Sequence, residues 1–196
     1  MAEYDLNLLQ KQMKEELSGD RYEHTIGVMY TAEALAMRYG VDMTKAAVAG
    51  LLHDCAKCIP NTQKLKMCKK HNIEVSDLEK RNPSLLHAKL GSYMAQKVYG
   101  VNDDEILSAI RWHTTGKPDM SMLDMIVYMA DYIEPNRDKA PNLKEIRKLS
   151  FENIEDALYC VLEGTLSYLK ERSADTIDPM TKESYEFYLQ KRNANK

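Results

Sequence analysis

Apolar residues recur at three- and four-residue intervals along nearly the whole chain, the spacing of one face of a helix. Leu6, Leu9, Met13 and Leu17 mark a first amphipathic helix. From Arg21 to Tyr39, Val28, Thr31 and Leu35 share a face, with His24 one turn before Val28. Thr44 to Cys55 is apolar on almost every side and predicts a buried central helix. Gly40 reads as a helix stop and Gly50 as a point of close helix packing. Pro60-Asn61-Thr62 opens a lysine-rich helix, and Asn82-Pro83-Ser84 opens another over Leu85 to Tyr99. An acidic first turn at 102–105 starts a helix running to His113. A loop follows over 114–118, and Ser121 to Ile133 is a second strongly apolar helix, stopped by Pro135. Phe151, Ile154, Leu158, Val161, Leu162 and Leu169 predict one long amphipathic helix. Asp178-Pro179 breaks the chain before a last helix from Thr181. No segment alternates with the period of two that a strand requires. The predicted fold is all-α, a single helical-bundle domain over 1–196 with a C-terminal helical extension at about 143–192.

Composition narrows the classes of function. A chain of 196 residues is long enough to bury a core. Its formal net charge of -3 gives no overall pull toward nucleic acid or an anionic membrane, so a polyanionic ligand must meet a local basic cluster. The lysines at 57, 64, 66, 69 and 70 read as a solvated helix face, without the interleaved aromatics that stack bases. A helical RNA-binding regulator therefore has little support. The apolar run Ala46 to Leu52 falls far short of the roughly 20 residues a membrane span needs, and the N-terminus carries no signal pattern. The expectation is a cytoplasmic protein without a membrane partner. Cys55, Cys58, Cys68 and Cys160 have spacings that would permit a zinc knuckle with His71, or a redox pair. The helical context and the lack of a preceding strand argue for ordinary thiols instead.

The chemistry lies where polar residues interrupt apolar helices. The run from Ala46 to Leu52 ends in His53-Asp54, and the run from Met125 to Ala130 ends in Asp131. An unpaired buried carboxylate costs several kcal/mol or more, so both acids need a compensating charge, and one shared cation answers for both. His24, placed by this reading in the first turn of its helix, would supply a neutral imidazole to the same ion. Mixed imidazole and carboxylate donors suit a divalent transition metal, Fe first and Mn or another ion next. His87 and His113, near helix ends, read as contacts to phosphate or to a second ion, whereas His71 sits among lysines and reads as solvent-facing.

The order His24, His53-Asp54, Asp131 resembles the signature of the HD phosphohydrolase superfamily. Three segments narrow the likeness: Leu51-Leu52-His53-Asp54-Cys55-Ala56-Lys57, Arg111-Trp112-His113-Thr114-Thr115-Gly116, and Ala130-Asp131-Tyr132-Ile133-Glu134-Pro135-Asn136-Arg137. They look like the bacterial YqeK family of HD-type symmetrical diadenosine tetraphosphatases, over an HD core at about 21–137. The resemblance implies metal held by His24, His53, Asp54 and Asp131, and cleavage in the middle of the phosphate chain to two ADP. Asp54, Lys57, His87 and His113 would be catalytic. Substrate contacts would fall on His24, Asp54, Lys57, His87, His113, Thr114, Asp131 and Arg137, and on the tail residues Thr176, Ile177, Asp178 and Pro179, with Asp178 giving a backbone contact rather than its carboxylate. The implied small-molecule partner is a dinucleoside polyphosphate or ADP, and a homodimer is left open. The rival within enzymes is an HD nucleotidase or phosphodiesterase acting on another nucleotide.

Overall fold

A computed structural model of the chain describes residues 4–172 and 177–194. Eleven α-helices follow one another: α1 (Leu6–Glu16), α2 (Gly19–Tyr39), α3 (Met43–Leu52), α4 (Asn61–Lys70), α5 (Asp77–Arg81), α6 (Leu86–Lys97), α7 (Asp104–Trp112), α8 (Met122–Ile133), α9 (Leu143–Glu152), α10 (Ile154–Arg172) and α11 (Pro179–Ala194). A 3-10 turn, Pro83–Leu85, leads into α6. No strand occurs among the described residues, as the missing period of two foretells.

The central layer is α3. All seven residues from Ala46 to Leu52 are buried, so this helix has no solvent face and must be wrapped. It packs against α2, α7, α8 and α1, while α6 packs on α7 and against the turn that ends α3, and α10 joins α8 to α9 and α11. Gly50 lets α2 and α3 approach closely: a Cβ there would stand 3.0 Å from Met29 Cα and 3.3 Å from Ala32 Cβ. Gly40 ends α2 in the left-handed region at φ 70°, the conformation that favours glycine at a helix stop. Local signals set the other starts. Ser121 and Asp124 exchange backbone and side-chain bonds in a capping box at the head of α8, and Asp42 and Asp103 cap α3 and α7.

Three elements differ from the sequence expectation. The long helix predicted through Phe151 and Ile154 is two helices. Asn153 is extended (φ -148°, ψ 101°) and its side chain accepts from Asp156 N, so α9 stops and α10 starts anew although the apolar spacing runs across the break. α5 is a single short turn with its own capping box, Ser76 to Glu79, too brief to show a period. The lysine run is not one solvated face: Lys66, Lys69 and Lys70 are exposed, but Lys64 is buried and donates to the Lys57 carbonyl and Asn61 Oδ1. Nor is His71 fully solvent-facing. It is half-buried, stacked on Tyr93 with ring centroids 4.6 Å apart, and hydrogen-bonded to the Tyr93 hydroxyl.

Candidate metal centre

A cavity of about 870 Å³ is lined by His24 of α2, by Lys57, by His113 and Thr114 after α7, and by Asp131 and Arg137 at the end of α8, with His53, Asp54 and His87 packed behind them. α3 ends at Leu52, and His53 and Asp54 enter a tight turn closed by Cys55 N to Leu52 O and Lys57 N to Asp54 O. The turn aims both side chains the same way, bringing His53 Nε2 within 3.5 Å of Asp54 Oδ2. α2 brings His24, and the end of α8 brings Asp131, with His24 Nε2 3.0 Å from Asp131 Oδ1. The His24 and His53 rings lie 5.4 Å apart. Potential donor atoms of His24, His53 and Asp131 all fall within 4.8 Å of one another, as do those of His53, Asp54 and His113. The two groups share His53. No cysteine belongs to either among the described residues, and Cys55 and Cys68 are buried while Cys58 is exposed, all as free thiols.

The histidines are wired alike, with one exception. His53, His87 and His113 each place Nδ1 on the carbonyl three residues back, Gly50 O at 2.7 Å, Ser84 O at 2.6 Å and Ile110 O at 2.8 Å. A carbonyl only accepts, so Nδ1 carries the proton and the lone pair of Nε2 points into the cavity. His24 instead places Nδ1 3.1 Å from the buried carboxylate of Glu134. Its position also departs from expectation. α2 begins at Gly19, so His24 lies beyond the first turn, and Glu134 rather than the helix dipole governs its ring.

Charge in the cavity is dense and paired. Burial pushes the Asp54 carboxyl up, but the His53 and His113 rings and the Lys57 ammonium beside it hold it well below the ordinary carboxylate range. Asp131 is likewise driven up by desolvation and brought far down by His24, His53 and Arg137. His87 is pushed down to about 3, first by burial and then by His113 and Lys57, and is therefore neutral at pH 7. Its Nε2 lies 3.1 Å from Lys57 Nζ, 3.1 Å from His113 Nε2 and 3.3 Å from Asp54 Oδ1. Thr114 Oγ1 is 3.1 Å from both imidazoles. Lys57, His87 and His113 thus gather around one oxygen of Asp54, at 3.6, 3.3 and 3.5 Å, and Thr114 bridges the two imidazoles.

A cation fits this donor set. Three buried polar atoms of the centre, His24 Nε2, His53 Nε2 and Asp54 Oδ1, have no hydrogen-bond partner. Orphaned buried groups of this kind are rare, and these three fall in the two triads joined by His53, with His24 in one and Asp54 in the other. The described residues can hold a divalent metal ion.

Two arginines flank the centre. Arg137 donates from Nη2 to Asp131 Oδ1 at 2.6 Å and from Nε to the Asp131 carbonyl at 3.0 Å. Arg21 places Nη1 2.9 Å from Asp54 Oδ2. Sequence reasoning missed Arg21, although its position three residues before His24 on one helix was a legible signal. It also read Glu134 only as part of a helix stop. Arg147 had no signal at all, yet its guanidinium donates to the carbonyls of Ile133, Glu134 and Arg137 at 2.8–2.9 Å and reaches Pro135 O at 3.5 Å. That side chain fixes the turn carrying Glu134 and Arg137.

The tail residues lie to one side. Ile177 is buried, and Asp178 and Pro179 line a smaller cavity of about 210 Å³ with Trp112, Thr114 and Thr115. Thr114 borders both cavities. The Asp178 carboxylate accepts from Met180 N and is occupied in starting α11. Thr176 lies outside the described residues. Among the described residues, no helix is long and apolar enough to cross a membrane.

Comparison with known proteins places this geometry. The HD domain family model matches residues 21–136, which include His24, His53, Asp54, His87, His113 and Asp131. The symmetrical bis(5'-nucleosyl)-tetraphosphatase of Bacillus subtilis is 40% identical over 161 residues, covering 82% of this chain and 86% of that protein. The protein of the same name from Halalkalibacterium halodurans is 37% identical over 82% of this chain and 85% of its own. A crystal structure from Clostridium acetobutylicum, described as a predicted HD superfamily hydrolase involved in NAD metabolism, superposes with a TM-score of 0.92 at 35% identity, covering 97% of this chain and all of the other. On the matched HD core and on relatives alike over most of its length, the chain belongs to the HD domain family and, within it, to the YqeK family.

Proposed function

We propose that this chain hydrolyses diadenosine tetraphosphate symmetrically, to two ADP, at a divalent-metal centre held by His24, His53, Asp54 and Asp131. The observation that carries the reading is the presence of three partnerless buried donor atoms beside a cavity lined by Lys57, Arg21 and Arg137. An electron-rich pocket ringed by cations suits a cation and a polyanion together. The names of the relatives from B. subtilis and H. halodurans support the same substrate. Iron is the first choice of ion and manganese the next, because imidazole and carboxylate donors serve both. The HD core at 21–137 and the helices at 143–192 act as one domain in this reading.

When bound, a divalent ion supplies Lewis-acid polarisation of a phosphoryl oxygen and makes nearby water more acidic. The chain's own residues do the rest. Asp54, ionised and held low, orients the attacking water and accepts its proton at the oxygen facing the cavity. Lys57, His87, His113 and Thr114 surround the phosphoryl group under attack and neutralise charge growing on its non-bridging oxygens. Arg137, forked on Asp131, presents its remaining N–H groups to the neighbouring phosphate. Water adds to the phosphorus, the central anhydride P–O bond breaks, and ADP leaves as a unit. Backbone groups at Ile177–Pro179 contact the nucleoside half that stays.

The deciding experiment is metal analysis of the purified protein with identification of the first products from diadenosine tetraphosphate. ADP alone among early products, with added ADP competing, is the expected result. Early AMP plus ATP would overturn the symmetrical cut. Turnover of a mononucleotide or cyclic dinucleotide without cleavage of diadenosine tetraphosphate would favour the nucleotidase or phosphodiesterase rival.

A further inference from the structure

Of the four imidazoles around the centre, His24 alone is backed by a carboxylate. The carboxylate belongs to Glu134, whose side chain is 2% exposed, at the C-terminal cap of α8. Its two oxygens have separate tasks. Oε1 lies 3.1 Å from His24 Nδ1, and Oε2 accepts the Asn136 backbone N–H at 2.8 Å. The path to His24 is open only because residue 27, one turn further along α2, is glycine. A Cβ at Gly27 would stand 2.4 Å from Glu134 Oε2 and 3.2 Å from its carboxyl carbon. Gly27 has an ordinary helical backbone, so no positive φ demands glycine there. The missing side chain is room for the carboxylate.

We propose that Glu134 is a positioning residue for the metal centre, and that Gly27 is the gap through which it acts. Glu134 accepts the Nδ1 proton of His24, fixes the tautomer that leaves Nε2 as a lone-pair donor, and holds the ring at its angle to Asp131. A carboxylate acceptor also makes the imidazole a stronger donor than the carbonyls behind His53, His87 and His113 do, because it places negative charge on the proton-bearing side. Glu134 touches neither substrate nor reacting atoms. Its effect passes through His24. The inference rests on the metal-binding reading above but not on the identity of the substrate.

The test uses the full chain, stripped of metal and reloaded with Mn²⁺, with affinity measured by chelator competition. Glu134→Gln offers one amide oxygen to two N–H donors, so it cannot satisfy both His24 and Asn136. It is expected to weaken Mn²⁺ binding by about 10–100-fold, the usual scale for losing such a partner. Gly27→Ala removes no hydrogen-bonding group and raises helix propensity, yet it displaces the carboxylate and is expected to weaken binding in the same direction. Added to Glu134→Ala, Gly27→Ala should cost no further affinity, since the carboxylate it displaces has gone. With Zn²⁺ in place of Mn²⁺, long-range ¹H–¹⁵N spectra should show the His24 Nδ1 proton bonded to a carboxylate in the parent, and its signal moved in Glu134→Gln and Gly27→Ala. A merely structural glutamate would lower thermal stability while leaving that signal and the affinity alone. Parent-like Mn²⁺ affinity in Glu134→Gln and Gly27→Ala would overturn the proposal, and should Glu134→Gln fail to fold, Gly27→Ala decides it. A parent chain that binds no Mn²⁺ would refute the metal reading itself, a separate outcome.

Discussion

The same substitution, glycine to alanine inside a helix, is expected to have opposite signs at two positions of this chain. Gly164 lies on the exposed side of α10, and a Cβ built there meets nothing within 4 Å. Gly164→Ala should gain the helix propensity difference, about 1 kcal/mol, without a packing penalty. For a chain of this size that corresponds to a rise in Tm of about 2–4 °C. Gly50 gains the same propensity but faces Met29 Cα at 3.0 Å, Ala32 Cβ at 3.3 Å and Met29 N at 3.3 Å. Two of the three are backbone atoms, and both helices are hemmed in by wholly buried residues, so no flexible side chain can swing aside. Overpacking of this kind costs about 1–3 kcal/mol, which exceeds the propensity gain across most of its range. The net expectation for Gly50→Ala is a loss of about 1 kcal/mol and a Tm lower by about 2–4 °C. A functional consequence follows, because the Gly50 carbonyl accepts from His53 Nδ1 at 2.7 Å. Displacing α3 moves the anchor of that imidazole, so metal affinity should fall together with stability. Thermal melts of both variants, metal-free and metal-loaded, measure the difference. A Gly50→Ala protein as stable as the parent would refute the claim that α2 and α3 cannot separate, and a destabilised Gly164→Ala would refute the reading of that site as open.

Three other outcomes are expected. His53→Ala and Asp131→Ala should each lose bound metal as well as turnover, since each removes a donor from the centre; full metal content by elemental analysis in either variant would remove that residue from the set. Arg137→Lys keeps the charge but loses the fork onto Asp131, so turnover should drop at least tenfold while metal content stays at the parent level, and parent-like kinetics would refute its phosphate role. Arg147→Ala deprives several carbonyls of charge-assisted donors and should cost about 2–3 kcal/mol in denaturant melts, with a parallel loss of turnover as the 133–137 turn loosens.

The residues of the centre were legible in the sequence to different depths, for physical reasons. His53, Asp54 and Asp131 stood out because a charge at the end of a fully apolar helix has few cheap explanations. Lys57 was named through the segment from Leu51 to Lys57 that carries the resemblance, and it lies 3.6 Å from the Asp54 carboxylate. Arg137 was named only as a substrate contact implied by the family resemblance, and its bond to Asp131 carried no signal in the sequence. Glu134 and Gly27 were opaque. Their meaning is a contact between two helices more than 100 residues apart in sequence, and a glycine in mid-helix advertises only low propensity. Arg147 was opaque for a similar reason: its partners are main-chain carbonyls, which carry no sequence signal. Among the elements, α3 and α8 were read from composition alone, whereas the break at Asn153 was hidden by apolar spacing that continues through it.

The wiring of the centre has a consequence for how the chain holds together. Its donors come from α2, the α3 turn and the end of α8, so a cation seated among them ties residue 24 to residue 131 through residues 53 and 54. In the unfolded chain these groups are far apart, and closing loops of that length is entropically expensive. An ion gripped by all three segments therefore acts as a removable crosslink, like a disulfide that answers to chelators instead of reductants. An ion held there would stabilise the native chain by mass action, and its removal by a chelator would withdraw that support from the segments joined between residues 24 and 131.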